Sequence, residues 1–584
     1  MPARSLVLTG PVPLTGGPLI ASVAALVAAD VLARRSRAEG GTLAWSTATV
    51  AGGLTGQWEA EEELSRAGLD KATVGREAFA ERLATMVEER RRQLGRLAAG
   101  LRLDLDVEAA EAAAEAAGRA ARTAFVRLFD AGLVVEADRI VATCPRCATA
   151  VPAADLVEGE VEGDAVTLRL VLVDGSDGDG DGYLDVICAA PELLPGAVAV
   201  AVPNGSPSVG RSAVVPVAAT VVPVVADPGV RQPTFVVPAH DPCALAIARR
   251  IGLVPAVVID RGGAVCVPGP LAGLARYAAR AAAHRLLEAE RAVVGSVAQT
   301  ERVDRCPACS TVVVPLLGRH WFLAVADLET AASDAVRDGR LAVWPPAARD
   351  ELLSRAGRAR EWCLSQQVWG GVPLPVGRCL DCGHVDVSVH PNTSCGRCMG
   401  DLVAVDEMLD ARFVRVVWPL AGTGWPEGGE RQRAGDGDGP SLLVAPADAT
   451  GDVLAMVGLG LRLGGTVPFD EVSVLAPIAW SGDPDGHGAA EIALLIASEG
   501  ARTVRVALAR GGLDTADASD LVARMDNPPA GPVDVDRLSE AMATAFAAAS
   551  PAAALVLLTA AVREGVPARD ADRVRALAGP FVGA

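Results

Sequence analysis

Eight of the twelve cysteines stand in Cys-x-x-C pairs: Cys144/Cys147, Cys306/Cys309, Cys379/Cys382 and Cys395/Cys398. Such a turn offers two soft ligands, and zinc takes four of them in a tetrahedron. The last two pairs lie close together in RCLDCGHVDVSVHPNTSCGRC (378–398), across a strand-like spacer, and form one natural site. The first two are separated by all of 148–305. They can share an ion only if that stretch is an insertion whose ends return to one place. The pairing therefore constrains topology as well as chemistry. It also suits a reducing cytoplasm and bound zinc better than a disulfide framework. His384 and His390 lie in the knuckle spacer and could replace a cysteine ligand, although four cysteines suffice.

The texture of the chain supports an insertion. Residues 58–98 and 107–132 are rich in Ala, Glu, Leu and Arg at helical spacing. From about 165 to 270 short Val-rich runs (VTLRLVLV, AVAVAV, TFVVPA) are broken by Pro and Gly, which reads as a compact β domain. Helix is expected again at 271–296 and 347–364, followed by mixed α/β sequence to about 510 and three Ala-rich helices near the end. DGDGDG (177–182) begins like a calcium loop, but Cys188 stands where the closing Glu belongs, so a glycine-rich turn is the reading. GLGLRLG (458–464) lacks a preceding strand and carries little weight as a nucleotide loop.

The 584 residues carry a formal net charge of -19 and a single lysine, Lys71. An acidic surface repels phosphate backbones, so non-specific nucleic-acid binding is expected to be weak. LIASVAALVAADVLA (19–33) is too short to span a bilayer and contains Asp30, so no membrane association is expected.

Longer stretches carry a resemblance. EWCLSQQVWGGVPLPVGRCLDCG (361–383) and DEMLDARFVRVVWPLAGTGWPE (406–427) resemble the class I aminoacyl-tRNA synthetases of the valyl/isoleucyl/leucyl group, the valyl type above all. VGREAFAERL (74–83) and AFVRLFDAGLV (124–134) resemble that family's early helices. CPRCATAVPAADLVEGEV (144–161), YLDVICAAPELLPGAVAVAV (183–202), FVVPAHDPCALAIARRIGL (235–253) and CPACSTVVVPLLGRHWF (306–322) resemble the start, two pocket segments and end of its editing insertion. The resemblance implies an α/β fold in which a Rossmann-like core is split by an inserted β barrel, with two zinc modules. The implied domains are a first core half (1–143), an editing-type insertion (144–310, barrel about 160–295) and a second core half (311–510) with its knuckle (378–399). The last is a truncated helical domain (511–584). Thr15, Gly16, Trp362, Gln367, Trp369 and Asp410 fall at family substrate-pocket positions; for the last four, core packing is an equal reading.

The family's catalytic signatures do not carry over. Its HIGH motif corresponds to a segment in which Leu19 and Ser22 take the histidine positions, with Ile20 and Ala21 between them. The first histidine of the chain is His240. The KMSKS region corresponds to WSGDPDGHGAAE (480–491), which has no lysine and carries Asp483, Asp485 and Glu491. GTDHAG corresponds to ATVAGG (48–53). In the editing pocket, TTRPET becomes CAAPEL, with Cys188, Ala189 and Ala190 at its start. The aspartate that holds the substrate amino group falls at Ala244, beside His240, Asp241 and Cys243. Cys188 and Cys243 are expected to share one pocket.

The expectation is a synthetase-like protein impaired in aminoacylation and editing, acting through a small ligand, a tRNA acceptor end or a protein partner. The alternative is a working ligase with divergent ATP-binding motifs. Zinc is the expected cofactor; ATP is implied by the family but opposed by the missing motifs.

Overall fold

The computed structural model describes residues 5–15, 25–26, 29–30, 43–100, 103–173, 182–390, 392–422, 424–426, 441–446 and 449–474. Gly16, Leu19, Ile20, Ala21 and Ser22, the 480–491 segment and the expected terminal helices lie outside these residues. The described chain falls into two units. One takes in the chain up to Val134, Leu323–Glu361 and the residues from Trp369 onward. The other is Val135–Phe322 with Trp362–Val368.

The first unit is built on a five-stranded parallel sheet. Its order is Ala342–Trp344, Glu471–Val474, Ser441–Ala445, Ser5–Thr9, Leu43–Ser46. Strands such as SLLVA and EVSV read as nearly continuous apolar runs, as expected of a sheet covered on both faces. Successive connections run in opposite directions on either side of the Ser5–Thr9/Ser441–Ala445 pair, which makes that pair the switch point of the sheet. Helix Ala411–Ala421 buries Phe413, Val416, Val417 and Trp418, and the Trp418 indole donates to the Thr9 carbonyl at 3.2 Å.

The first long helical stretch is interrupted. Helices Gly53–Arg66, Lys71–Val74 and Arg76–Gly100 replace the single run expected over 58–98. Gly68 and Gly75 take φ of +73° and +80° at the breaks, a backbone that ends a helix. Helix Val107–Asp130 lies close to its expected bounds. Its buried stripe is mostly alanine (Ala110, Ala117, Ala120, Ala121, Ala124) and closes with Phe125 and Leu128. The helix expected over 347–364 is Pro346–Arg355, and Gly357 (φ +75°) precedes strand Glu361–Cys363. GLGLRLG is helical rather than a loop: Gly458 lies in helix Thr450–Leu459, where a Cβ would come within 2.6 Å of the Leu328 carbonyl oxygen. A small three-stranded sheet (Val385–Val387, Val376–Cys379, Leu402–Ala404) carries the cysteine knuckle.

The second unit is β-rich. Strands Thr234–Val236, Ala199–Val202, Thr220–Ala226, Ser212–Val215, Val157–Val173 and Val293–Arg305 follow one another across a sheet. Tyr183–Cys188 pairs with Val157–Val173 off that path. Val166, Leu168, Leu170 and Leu172 alternate inward along one long strand, joined in the core by Val200, Val215 and Val224. Helix Arg276–Ala289 covers this core through Ala279, Ala283 and Leu287 and is shorter at both ends than the expected 271–296. Helix Pro242–Ile251 lies inside the Val-rich stretch, where the sequence texture suggested strands only.

Candidate functional site

Four cysteine turns make two sites. Cys144, Cys147, Cys306 and Cys309 converge in the second unit, and Cys379, Cys382, Cys395 and Cys398 in the first. Within each set the four sulfurs lie within 4.8 Å of one another. Sulfur–sulfur separations include 3.4 Å for Cys144–Cys309, 3.6 Å for Cys147–Cys309, 3.4 Å for Cys379–Cys398 and 3.7 Å for Cys382–Cys395. A tetrahedral ion with bonds of about 2.3 Å places its sulfurs about 3.8 Å apart. The donor sets therefore fit a tetrahedral metal ion, and no histidine joins either set among the described residues.

All four turns share a backbone device that the spacing alone does not show. The residue immediately after the second cysteine is left-handed: Ala148 (φ 54°), Ser310 (57°), Gly383 (67°) and Met399 (63°). Only one of these is glycine. The turn aims amides at sulfur, with Cys147 N donating to Cys144 Sγ and Arg397 N to Cys395 Sγ, each at 3.4 Å. It also closes on itself through Met399 N to Cys395 O (2.9 Å) and Ser310 N to Cys306 O (2.9 Å). Four thiols this close cannot titrate independently. Hydrogen bonds from Cys144 and Cys147 pull Cys306 down to about 2, while Cys144 and Cys306 push Cys147 up. A bound cation relieves that conflict by taking all four as thiolates.

The family pocket positions are engaged by the fold. Thr15 is buried, donates to the Gly52 carbonyl at 3.4 Å and packs on Gly56 at the start of helix Gly53–Arg66. Gly52, at φ +85°, has no room for a side chain, since a Cβ would come within 3.0 Å of the Gly370 carbonyl oxygen. Trp369 donates its amide to Gln57 Oε1 at 2.8 Å and meets Phe79 edge-on at 5.5 Å. Gln57 is buried, and its Nε2 has no hydrogen-bond partner among the described residues. Asp410 caps helix Ala411–Ala421 through Arg412 N at 3.1 Å. In the other unit, Gln367 accepts from Ala150 N at 3.1 Å, donates its amide to Thr149 Oγ1 at 2.8 Å, and has Nε2 3.3 Å from His320 Nδ1. Trp362 is buried. Burial pushes His320 down to about 4.

Lys71, the single lysine, is committed as well. Its Nζ pairs with Glu61 at 2.6 Å and lies 5.5 Å from the centre of the Trp369 ring. It is the one ammonium side chain the sequence offers for binding phosphate.

The editing-pocket positions differ in burial. Cys188 is buried in the β-rich core, where desolvation pushes its thiol up to about 12, and Ala244 is buried, while Cys243 is exposed. Ala189 is exposed and Ala190 half-buried. Cys188 shares that core with Val166, Leu168 and Leu194, the surroundings of a small apolar side chain. His240 is a buried structural histidine. Its Nδ1 donates to the Pro315 carbonyl at 2.9 Å and its Nε2 accepts from Val258 N at 3.0 Å, and burial holds its pKa below the usual range. Asp241 caps helix Pro242–Ile251, accepting from Cys243 N at 2.7 Å and Ala244 N at 3.4 Å.

Sequence reasoning missed the strongest charge cluster of this unit. Glu192 is completely buried, with Arg276 Nε 3.2 Å and Arg280 Nη2 2.8 Å from Oε1, and Arg280 Nε 2.9 Å from Oε2. Arg280 also reaches Glu301 at 3.2 Å. Desolvation opposes the charge of Arg280, but its pairing with Glu192 outweighs that and raises its pKa. The only signal was the Glu in CAAPEL and two arginines one helical turn apart.

A parallel α/β core whose sequence is interrupted by a β-rich unit has the mixed α/β content of the class I synthetases. Residues 4–481 match the family of class I tRNA synthetases (I, L, M and V), and the chain belongs to it. Among curated proteins it is similar to valine–tRNA ligases. That of Streptomyces coelicolor is 32% identical over 416 residues, covering 68% of this chain and 46% of the relative. That of Desulfotalea psychrophila is 30% identical over 475 residues, covering 79% and 52%. The chain thus spans about half the length of the curated relatives it matches. The crystal structure of the LeuRS–tRNA–LeuAMS ternary complex of Agrobacterium radiobacter K84 shares the fold. It has a TM-score of 0.52 at 14% identity, covering 100% of this chain and 84% of that one.

Proposed function

We propose that this chain is a class I synthetase of valyl type that has kept the scaffold and lost amino-acid activation and editing. It acts by binding a small polar ligand or the acceptor end of tRNA. The observation that carries this reading is the commitment of Lys71 to Glu61 and Trp369. Adenylate formation builds negative charge on phosphate oxygens, and enzymes meet it with preorganised cations and donors. Here the HIGH positions hold no histidine, the KMSKS positions hold no lysine, and the one lysine of the chain is engaged elsewhere. Retained binding is supported by Gln57: its buried Nε2 donor has no partner among the described residues, which is costly unless a ligand or water takes it.

In this reading the β-rich unit is the family's editing-type barrel, and zinc fills both four-cysteine sites as a structural ion. Ala244 offers no carboxylate for a substrate ammonium group, so deacylation of mischarged tRNA is lost too. The second reading, a working ligase, rests on family membership alone. Amino-acid-dependent ATP–pyrophosphate exchange by the zinc-replete protein separates the two. Only background exchange is expected with every standard amino acid; robust exchange with any one of them establishes the ligase.

A further inference from the structure

A second set of charges lies beside the switch point of the parallel sheet. Helix Thr450–Leu459 starts shortly after strand Ser441–Ala445 ends, and Ala449 gives its N-terminus no side-chain cap. Asp452, in the first turn, is buried and held by two arginines of helix Ala411–Ala421. Arg412 Nε is 2.5 Å from its Oδ1, and Arg415 Nε is 2.7 Å from its Oδ2. A third arginine closes on the same turn. A Cβ on Gly451 would come within 3.1 Å of Arg412 Nη2 and 3.3 Å of Arg355 Nη1. On the outer side the Thr450 hydroxyl donates to Glu351 Oε1 at 3.1 Å, and Glu351 pairs with Arg355 at 3.4 Å.

Guanidinium groups gathered at a helix N-terminus, beside the carboxyl ends of parallel strands, are the arrangement that binds phosphate or carboxylate. Here the anion is supplied by the chain itself. We propose that the Asp452 carboxylate occupies this anion position, and that the Arg412–Asp452–Arg415 clamp closes the place to phosphate-bearing ligands. The two forks that would grip an incoming anion are already turned onto Asp452, and its charge repels a second anion at contact distance. The proposal deepens the non-catalytic reading by naming a ligand class that the core excludes. It predicts an outcome of its own: removing the Asp452 charge should turn the arginine pair into an anion site.

The test measures pyrophosphate binding by calorimetry with wild-type protein and Asp452→Asn, an isosteric change that keeps an acceptor for the arginines. Wild type is expected to show no binding at the clamp, and Asp452→Asn to gain affinity by about tenfold or more. Adding Arg412→Gln to Asp452→Asn should abolish the gain. A folded Asp452→Asn that gains nothing overturns the proposal. Arginine footprinting with phenylglyoxal on the wild-type protein decides the matter even if the variant does not fold. Pyrophosphate should leave the modification of Arg412 and Arg415 unchanged; protection of either shows that the clamp admits an anion and overturns the proposal. Neither readout depends on whether pyrophosphate exchange occurs, so failure here and failure of the non-catalytic reading are distinguishable.

Discussion

Glu192→Ala removes the fully buried carboxylate that faces Arg276 and Arg280, and the cost follows from what remains. Both arginine side chains are about 15% exposed, and Arg280 keeps Glu301, itself 30% exposed, as an acidic partner. Deleting one member of a buried ion cluster typically costs about 3–5 kcal/mol, because the surviving charges lose compensation. Partial exposure and the Glu301 contact place this case near the lower end, at about 3 kcal/mol. For a unit of this size that is a drop of about 6–12 °C in its melting transition. Calorimetric melting of the full chain reads it directly. A companion variant separates charge imbalance from lost packing. Glu192→Met with Arg276→Met and Arg280→Leu removes all three charges together and should return most of the loss, since hydrophobic replacement of a whole buried cluster is often neutral or stabilising. A Glu192→Ala transition within about 1 kcal/mol of wild type would refute the reasoning, as would a triple variant worse than the single one.

Three further outcomes are expected. His320 is buried with a pKa lowered to about 4, so its neutral form belongs to the folded state. Its contribution is full above the unfolded value of about 6.5, is lost as pH falls toward 4, and amounts to about 3 kcal/mol; urea titrations of wild type and His320→Gln across pH 7 to 4 should diverge accordingly. Removing metal with a strong chelator should lower the melting temperature of zinc-loaded protein, and Cys306→Ser should abolish the second-unit share of that effect while Cys395→Ser abolishes the other; equal zinc content in wild type and both variants would contradict the assignment. Met399→Gly should leave the knuckle intact and stabilise it by up to about 1 kcal/mol, whereas Gly383→Val should cost at least as much, because a β-branched residue pays for left-handed φ; melting of both variants measures the difference.

Much of the architecture was legible because it rests on patterns that survive alanine-rich drift. The cysteine spacing required the segment between Cys147 and Cys306 to return to its origin, and the sulfurs do meet. The parallel strands were weak signals by themselves, since SLVLT, LAWS and EVSV are too short to tell strand from helix by periodicity. Helix ends were misjudged where glycine stood inside a helical pattern: composition over 58–98 is uniform, but φ at Gly68 and Gly75 is a backbone property. Helix Pro242–Ile251 was hidden by the opposite effect. Its Val-rich surroundings suggested strand, while the Asp-Pro start that caps it (Asp241 to Cys243 N, 2.7 Å) is a tertiary choice between two local options.

The candidate site was legible in a different sense, through which polar residues remained. His240 bridges Pro315 and Val258, Asp241 and Asp410 cap helices, and Gln367 fixes Thr149 and Ala150. Lys71 pairs with Glu61 and sets its ammonium over the Trp369 ring. Each of these retained groups has work in the folded state that does not require a substrate, and its loss would leave a buried partner unsatisfied or a helix uncapped. A substrate-facing residue without such a second role can drift to Leu, Ser or Ala at no cost to stability once turnover is not selected. Positions such as Ala244 are consistent with that: it is buried, and its amide still serves the Asp241 cap without any side-chain function. The residues that look like remnants of a catalytic apparatus are therefore the ones the fold itself needs. Their presence is no argument for activity. Gln57 is the exception that matters, because its Nε2 is buried and without a partner among the described residues, so no contact described there accounts for that half of the amide. A ligand that hydrogen-bonds there should therefore raise the melting temperature of wild type but not of Gln57→Leu, and that comparison, run over neutral and charged amino acids, tests the proposed ligand binding directly.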